Sequence, residues 1–193
     1  MVHRRSVLKV GAAGLAGAFL RIPAPALGAG PINATAPLYR AVFDERYVES
    51  VSFADELRHS GVATASAGSD IAALWYGDLH VQPGQRTSIA GLTDRATLFC
   101  LEELARSRGL RVVYRIDHLI DERGHVEHDP AGPIAIVVAA GKLISKPGFG
   151  RDMAVLAKRF DAMQREHHNT AATKRTGPFS PEGKVALVSW VMA

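Results

Sequence analysis

The alternation of apolar runs with helical patterns is the feature that most constrains the fold of this 193-residue chain. Apolar residues in the segments between the runs recur every three or four positions, as they do on one face of a helix. The first four runs, which predict strands, are Leu38 to Phe43, Val62 to Ala67, Thr87 to Ala90 and Leu110 to Ile116. A regular succession of strand and helix is typical of a sheet covered by helices. We therefore predict an α/β fold, specifically a three-layer sandwich with a mostly parallel sheet and helices on both faces.

Four segments carry the helical pattern: Tyr47 to His59, Asp70 to Tyr76, Arg95 to Arg108 and Arg151 to His167. The third is the clearest, because Asp94 is a suitable N-cap and Gly109 follows basic residues in the last turn.

The remaining segments are less regular. Residues 122–124 predict a turn within a polar segment, and a hairpin would explain this pattern. The apolar run 134–140 fits either a strand or a helix. Residues 168–183 predict a long polar loop. Residues 185–191 predict a last strand at or near an edge of the sheet.

The first residues of the chain have the outline of a signal peptide. A short basic segment precedes an uncharged run from Val10 to Leu20. As a helix this run would span about 16 Å, against roughly 30 Å for the hydrocarbon core of a bilayer. A removable signal is therefore expected, and a permanent membrane anchor is not.

This start resembles the twin-arginine export signals, whose pattern is Ser/Thr-Arg-Arg-x-Phe-Leu-Lys. The matching residues are Arg4, Arg5, Leu8 and Lys9. His3 and Val7 depart from the pattern. The resemblance covers only the signal, and it implies export of the folded protein to the periplasm with the Tat translocase as its partner. General secretion and a retained basic leader are the alternatives.

Signal peptidase needs small residues just before the cut, so cleavage is expected near Ala26 or Gly28. The chain then divides into a signal peptide (1–28), a flexible leader (29–37) and a single α/β domain (38–193).

The charge of the chain belongs to its signal. The formal net charge is +4, and Arg4, Arg5, Lys9 and Arg21 all lie within the first 28 residues. The mature domain is therefore about neutral, which argues against nucleic-acid binding. Cys100 is the single cysteine, so an internal disulfide is excluded. We expect it to be a buried structural residue, with a dimer-forming disulfide as the lesser alternative.

Ligands of open α/β sheets bind beyond the carboxyl ends of the parallel strands. If the first four strands are parallel, the residues that follow them meet on one rim. The resulting ligand-binding candidates are Asp44, Ser69, Asp70, Thr93, Asp94, Asp117 and His118. Helix capping is the competing explanation for Asp44, Ser69, Asp70 and Asp94. A surface loop is the competing explanation for His118.

No familiar catalytic or cofactor motif is present. The sequence has no phosphate-binding loop, no Gly-x-Gly-x-x-Gly and no Gly-x-Ser-x-Gly. The cluster His118, His125, Glu127, His128 and Asp129 fits no compact metal-binding spacing, so we interpret it as a solvated polar loop and predict no metal. Catalytic residues and cofactor stay unknown.

The aromatic residues are best explained by the core. Trp75 and Tyr76 more often close a core edge than a ligand pocket, although Asp78 and His80 follow them, and Trp190 is expected in the core.

Three classes of function remain. The first in rank is an exported small-molecule binding or accessory protein. The second is a partner subunit of a periplasmic redox enzyme, and the third is an enzyme with an unrecognised active site.

Overall fold

A computed structural model describes residues 38–79, 87–142, 148–166, 171–173 and 184–193. Residues from Ala34 to Ala193 group into one compact unit. The predicted signal peptide and leader lie outside the described residues, as do His80 and most of the predicted loop 168–183. Within the described ranges, no helix is both long enough and apolar enough to cross a bilayer.

Strands and helices alternate as predicted through the first four strands, and the fold is α/β. The strands of the described residues are β1 (Leu38–Phe43), β2 (Ala63–Ser66), β3 (Ser88–Thr93), β4 (Val112–Ile120), β5 (Val126–Pro133), β6 (Ala171–Thr173) and β7 (Val185–Met192). The helices are α1 (Val48–His59), α2 (Ile71–Gly77), α3 (Arg95–Arg106), α4 (Ile134–Ala140) and α5 (Phe149–Glu166). The ambiguous run 134–140 is therefore a helix.

The strands form one sheet in the order β2-β1-β3-β7-β4-β5-β6. β1 pairs in parallel with β2 and β3, whereas the other neighbours pair antiparallel. The sheet is therefore mixed, and the prediction of a mostly parallel sheet is wrong. Two features make it mixed. β7 pairs antiparallel with both β3 and β4, and the chain reverses from β4 into β5 at a turn where Asp121 Oδ1 accepts the N–H groups of Arg123 and His125.

The last strand was expected at or near an edge, and this prediction is wrong. β7 lies between β3 and β4 and pairs with both. Residues from Leu187 to Met192 are all buried. A continuous buried run of this kind is typical of an interior strand rather than of an edge strand.

Neighbouring residues of a strand contribute to different hydrophobic clusters. In β1, Ala41 packs in a cluster with residues of α1, α4 and α5, whereas Val42 packs in a cluster with residues of α2 and α3. In β3, Ala90 and Ile89 divide in the same way. Alternation along the strand therefore divides the sheet residues between two clusters, each of which includes its own group of helices.

Trp190 fills the centre of the sheet, as expected of a core residue. Its position is paired with Gly91 of β3, and its Nε1 donates to Thr93 Oγ1 at 3.1 Å. A Cβ atom at Gly91 would overlap the indole ring. Glycine is therefore required at position 91 by the close approach of Trp190.

Replacing Gly91 by alanine is expected to destabilise the protein by about 1–3 kcal/mol, because the indole must shift within a packed core. Gly77 is the matched control, since a Cβ there meets nothing within 4 Å. Gly77→Ala should be neutral or slightly stabilising. Urea unfolding followed by circular dichroism measures both variants, and equal stabilities would contradict the packing argument.

Candidate functional site

The ends of β1, β2 and β3 border an open crevice of ≈ 460 Å³. Its walls are the loop after β1, the loop after β2 and the first turns of α3. The lining side chains with polar or reactive groups are Asp44, Glu45, Arg46, Ser66, Ser69, Asp94, Thr97 and Cys100. Three of the predicted ligand-binding residues, Asp44, Ser69 and Asp94, therefore come together here.

Arg46 spans this crevice. Its Nη2 lies 2.6 Å from Asp44 Oδ2 and 2.6 Å from Asp94 Oδ2. The hydrogen bonds to Asp44 and then Asp94 raise the pKa of Arg46, so the guanidinium stays charged. Its side chain is 64% exposed, so part of the guanidinium remains available to a molecule in the crevice.

Asp44, which pairs with Arg46, is also held through its backbone. It is buried, and its backbone N–H donates to Ser50 Oγ at 2.7 Å. The hydroxyl of Ser50 donates in turn to the carbonyl of Leu92 in β3. This chain of contacts ties the loop after β1 to the neighbouring strand. The N-cap of α1 is Tyr47 rather than Asp44, and it makes no side-chain capping hydrogen bond.

Asp94 and Asp70 have the capping role that competed with ligand binding. Asp94 Oδ1 accepts from Thr97 N at 2.7 Å, and Asp70 Oδ1 accepts from Ala73 N at 2.8 Å. Burial would raise the pKa of Asp94, but the hydrogen bonds from Thr97 and from Arg46 outweigh it and lower the pKa. Asp94 is therefore an ionised residue that both caps α3 and holds Arg46.

Thr93 belongs to the core. It is fully buried, accepts from Trp190 and donates to the carbonyl of Asp94 at 3.0 Å. Its hydroxyl does not line the crevice.

Asp117 lies within β4, which extends further than predicted. Its Oδ1 accepts from Arg95 Nε at 3.0 Å and from Arg115 Nη2 at 2.8 Å. Val188 of β7 is paired with Asp117 on one side and with Thr93 on the other. Asp117 is therefore level with the end of β3 and contacts α3 through Arg95, but it does not line the crevice.

His118 points to the opposite face from Asp117, because adjacent strand residues alternate. It is fully buried, with Nδ1 2.7 Å from His128 Nδ1 and Nε2 2.9 Å from Ser189 Oγ. Burial, and then the nearby His128, lowers the pKa of His118 well below its ordinary value. The structure therefore does not bring His118 to the crevice, and the ring is neutral at neutral pH.

The interpretation of residues 125–129 as a solvated loop is wrong from Val126 onward. These residues start β5, which pairs with β4, so that His128 lies opposite His118. Within the described ranges, no group of three or more His, Cys, Asp and Glu residues is placed to hold a metal ion.

Cys100 was expected to be buried, and it is exposed. The buried residues of α3 are Thr97, Leu98, Leu101 and Ala105, and they form a stripe that Cys100 just misses. The thiol lies instead at the crevice wall. Trp75 is buried as expected of a core residue, whereas Tyr76 is 64% exposed.

Asp94→Ala should lower stability by about 1 kcal/mol, because α3 loses its N-cap. Asp94→Asn is the matched variant, since asparagine keeps an accepting oxygen for Thr97 but loses the charge that pairs with Arg46. It should be close to wild type in urea unfolding. If the two variants lose the same stability, the ion pair rather than the cap is the main contribution of Asp94.

Comparison of the chain with models of protein families, with curated proteins and with solved structures finds no match.

Proposed function

We propose that the domain binds a small polar molecule in the crevice at the ends of β1, β2 and β3. The observation that carries this proposal is the position of the crevice between two neighbouring parallel strands whose following helices belong to different hydrophobic clusters. α1 follows β1 and packs in the cluster of Phe53, whereas α3 follows β3 and packs in the cluster of Leu98.

In this proposal the domain is a three-layer sandwich, with α1, α4 and α5 on one face of the sheet and α2 and α3 on the other. The two clusters support this arrangement. The loops after β1 and β3 then diverge toward opposite faces and leave a gap between them. Such a topological switch point is where open α/β sheets bind their ligands.

The crevice has the size and chemistry of a ligand site. Small-molecule pockets have volumes of about 300–1,000 Å³, and this crevice of ≈ 460 Å³ is in that range. Charged groups of both signs, Arg46 with Asp44 and Asp94, lie beside the hydroxyl groups of Ser66 and Ser69. A ligand that offers both hydrogen-bond donors and acceptors fits this wall better than an apolar one or a strong anion.

Filling the crevice should abolish binding without unfolding the domain. Ala96 is exposed on α3 and lines the crevice, so Ala96→Trp occupies the space a ligand would take. Val138 is exposed on α4 and does not line the crevice, so Val138→Trp is the matched control.

Native mass spectrometry of the protein purified from its own host measures this outcome. The wild type and Val138→Trp should carry the mass of a bound small molecule, and Ala96→Trp should lose it. A bare wild type, or an added mass that survives Ala96→Trp, would falsify the proposed site.

We further infer that the domain acts in the periplasm after export by the Tat translocase, as a binding or accessory protein. The support is the match of Arg4, Arg5, Leu8 and Lys9 to the twin-arginine pattern.

Replacing Arg4 and Arg5 together by lysine keeps the charge of the segment and removes the twin arginines. The expected result is an uncleaved protein that accumulates inside the cell, whereas the wild type appears in the periplasm with an N-terminus near Leu27 or Ala29. Intact-mass measurement of each cell fraction distinguishes these results. Normal cleavage and export of the double variant would show that another route carries the chain.

A further inference from the structure

A chain of hydrogen bonds runs through the core from β7 to β5. Ser189 Oγ donates to Met153 Sδ at 3.2 Å, and His118 bridges Ser189 and His128. Adjacent strands carry Ser189, His118 and His128, since β7 pairs with β4 and β4 pairs with β5. Met153 lies on α5. None of them lines the crevice.

The contacts assign the hydrogen atoms along this chain. The hydroxyl hydrogen of Ser189 is directed to Met153, so Ser189 Oγ accepts from His118 Nε2–H. A neutral His118 then has no hydrogen on Nδ1, and it accepts from His128 Nδ1–H across 2.7 Å. A neutral His128 therefore carries a bare lone pair on Nε2.

His128 Nε2 is the one nitrogen of the two rings that is left to take up a proton. This atom is buried and has no hydrogen-bond partner among the described residues. Both nitrogens of His118 are engaged, and only one hydrogen fits between the two Nδ1 atoms. The first proton that the pair gains must therefore bind His128 Nε2.

The N-terminus of α5 lies against this pair. The ring of Phe149 packs on His118 at 4.4 Å and on His128 at 5.3 Å between centroids. Glu49 of α1 fastens the same turn, because its Oε1 accepts from Gly148 N at 2.7 Å and its Oε2 accepts from Gly150 N at 2.8 Å.

Gly150 allows this close approach of α1 and α5. A Cβ atom at position 150 would overlap the backbone of Glu49. The Glu49 carboxylate therefore holds the start of α5 at a crossing point that tolerates no side chain.

Charged and titratable groups approach His128 from several elements. Burial lowers the pKa of His128, Asp152 and Glu49 raise it, and His125 lowers it. By element, the groups are Glu49 of α1, Asp152 of α5, His125 of the turn before β5 and His118 of β4, while β7 offers the uncharged Ser189.

We propose that His128 is an acid-sensing residue: a proton on Nε2 draws the Glu49 carboxylate away from the amides of Gly148 and Gly150 and releases the first turn of α5. A buried imidazolium needs an acceptor, and Asp152 and Glu49 are the carboxylates whose charges favour a proton on His128. Of these two, Glu49 is the one that accepts from the amides at the start of α5. The charge is also unfavourable beside the positive end of the α5 dipole, which further loosens that end.

The sign of the pH effect follows from burial. Because folding lowers the pKa of His128 and of His118, the unfolded chain binds protons more readily than the folded one. The contribution of these residues to stability is present above the unfolded pKa of histidine. It is lost as the pH falls through that value toward the lower folded pKa values.

Nitrogen-15 NMR of the histidine rings in the wild-type protein tests the hydrogen assignment. At neutral pH, His118 should be the Nε2–H tautomer and His128 the Nδ1–H tautomer. As the pH is lowered, His128 Nε2 should gain a proton before either nitrogen of His118 changes. Protonation of His118 first would overturn the proposal.

Amide hydrogen exchange on the same samples tests the release of α5. The protection factors of Gly148 and Gly150 should fall by about tenfold as His128 titrates. His128→Gln should remove this pH response, and His59→Gln, at the exposed end of α1, should keep it. If His128→Gln does not fold, the wild type alone decides, since unchanged protection at both glycines through the titration of His128 contradicts the proposal.

Discussion

The structure depends on the insertion of β7 between β3 and β4. Through β7 the parallel part of the sheet, β2-β1-β3, is joined to the antiparallel part, β4-β5-β6. Trp190 secures this junction, because its indole covers Gly91 and its Nε1–H is satisfied by Thr93. β7 also carries Ser189, so the strand that joins the two parts of the sheet also contacts the buried histidine pair.

Local signals in the sequence predicted most of the elements and both side-chain caps. The periodicity of residues 47–59 and 95–108 and the capping residues Asp70 and Asp94 act over a few positions, so they can be read without knowing the fold. The position of β7 could not be predicted in this way. Its partners β3 and β4 are distant in the sequence, and a run such as Val185–Met192 does not state which strands it will pair with.

In the candidate site, too, local signals were predicted and contacts between distant segments were missed. Asp44, Ser69 and Asp94 were predicted because they follow strands, and they meet at the crevice. Arg46 was missed, although it lies two residues beyond Asp44, because its role depends on reaching Asp94 from another loop. His118 was placed on the rim because β4 was predicted to end too early. The strand continues for four more residues, to Ile120, so His118 lies within it and points away from the face of Asp117.

The first turn of α1 connects the two polar regions of the domain. Ser50 binds the backbone of Asp44 and the carbonyl of Leu92 at the crevice, and Glu49 binds the start of α5 beside the histidine pair. α1 has no side-chain cap of its own, so tertiary contacts made by these two adjacent residues fix its start. Both polar regions are therefore attached to the same turn of helix, which gives the crevice and the buried histidines a common support.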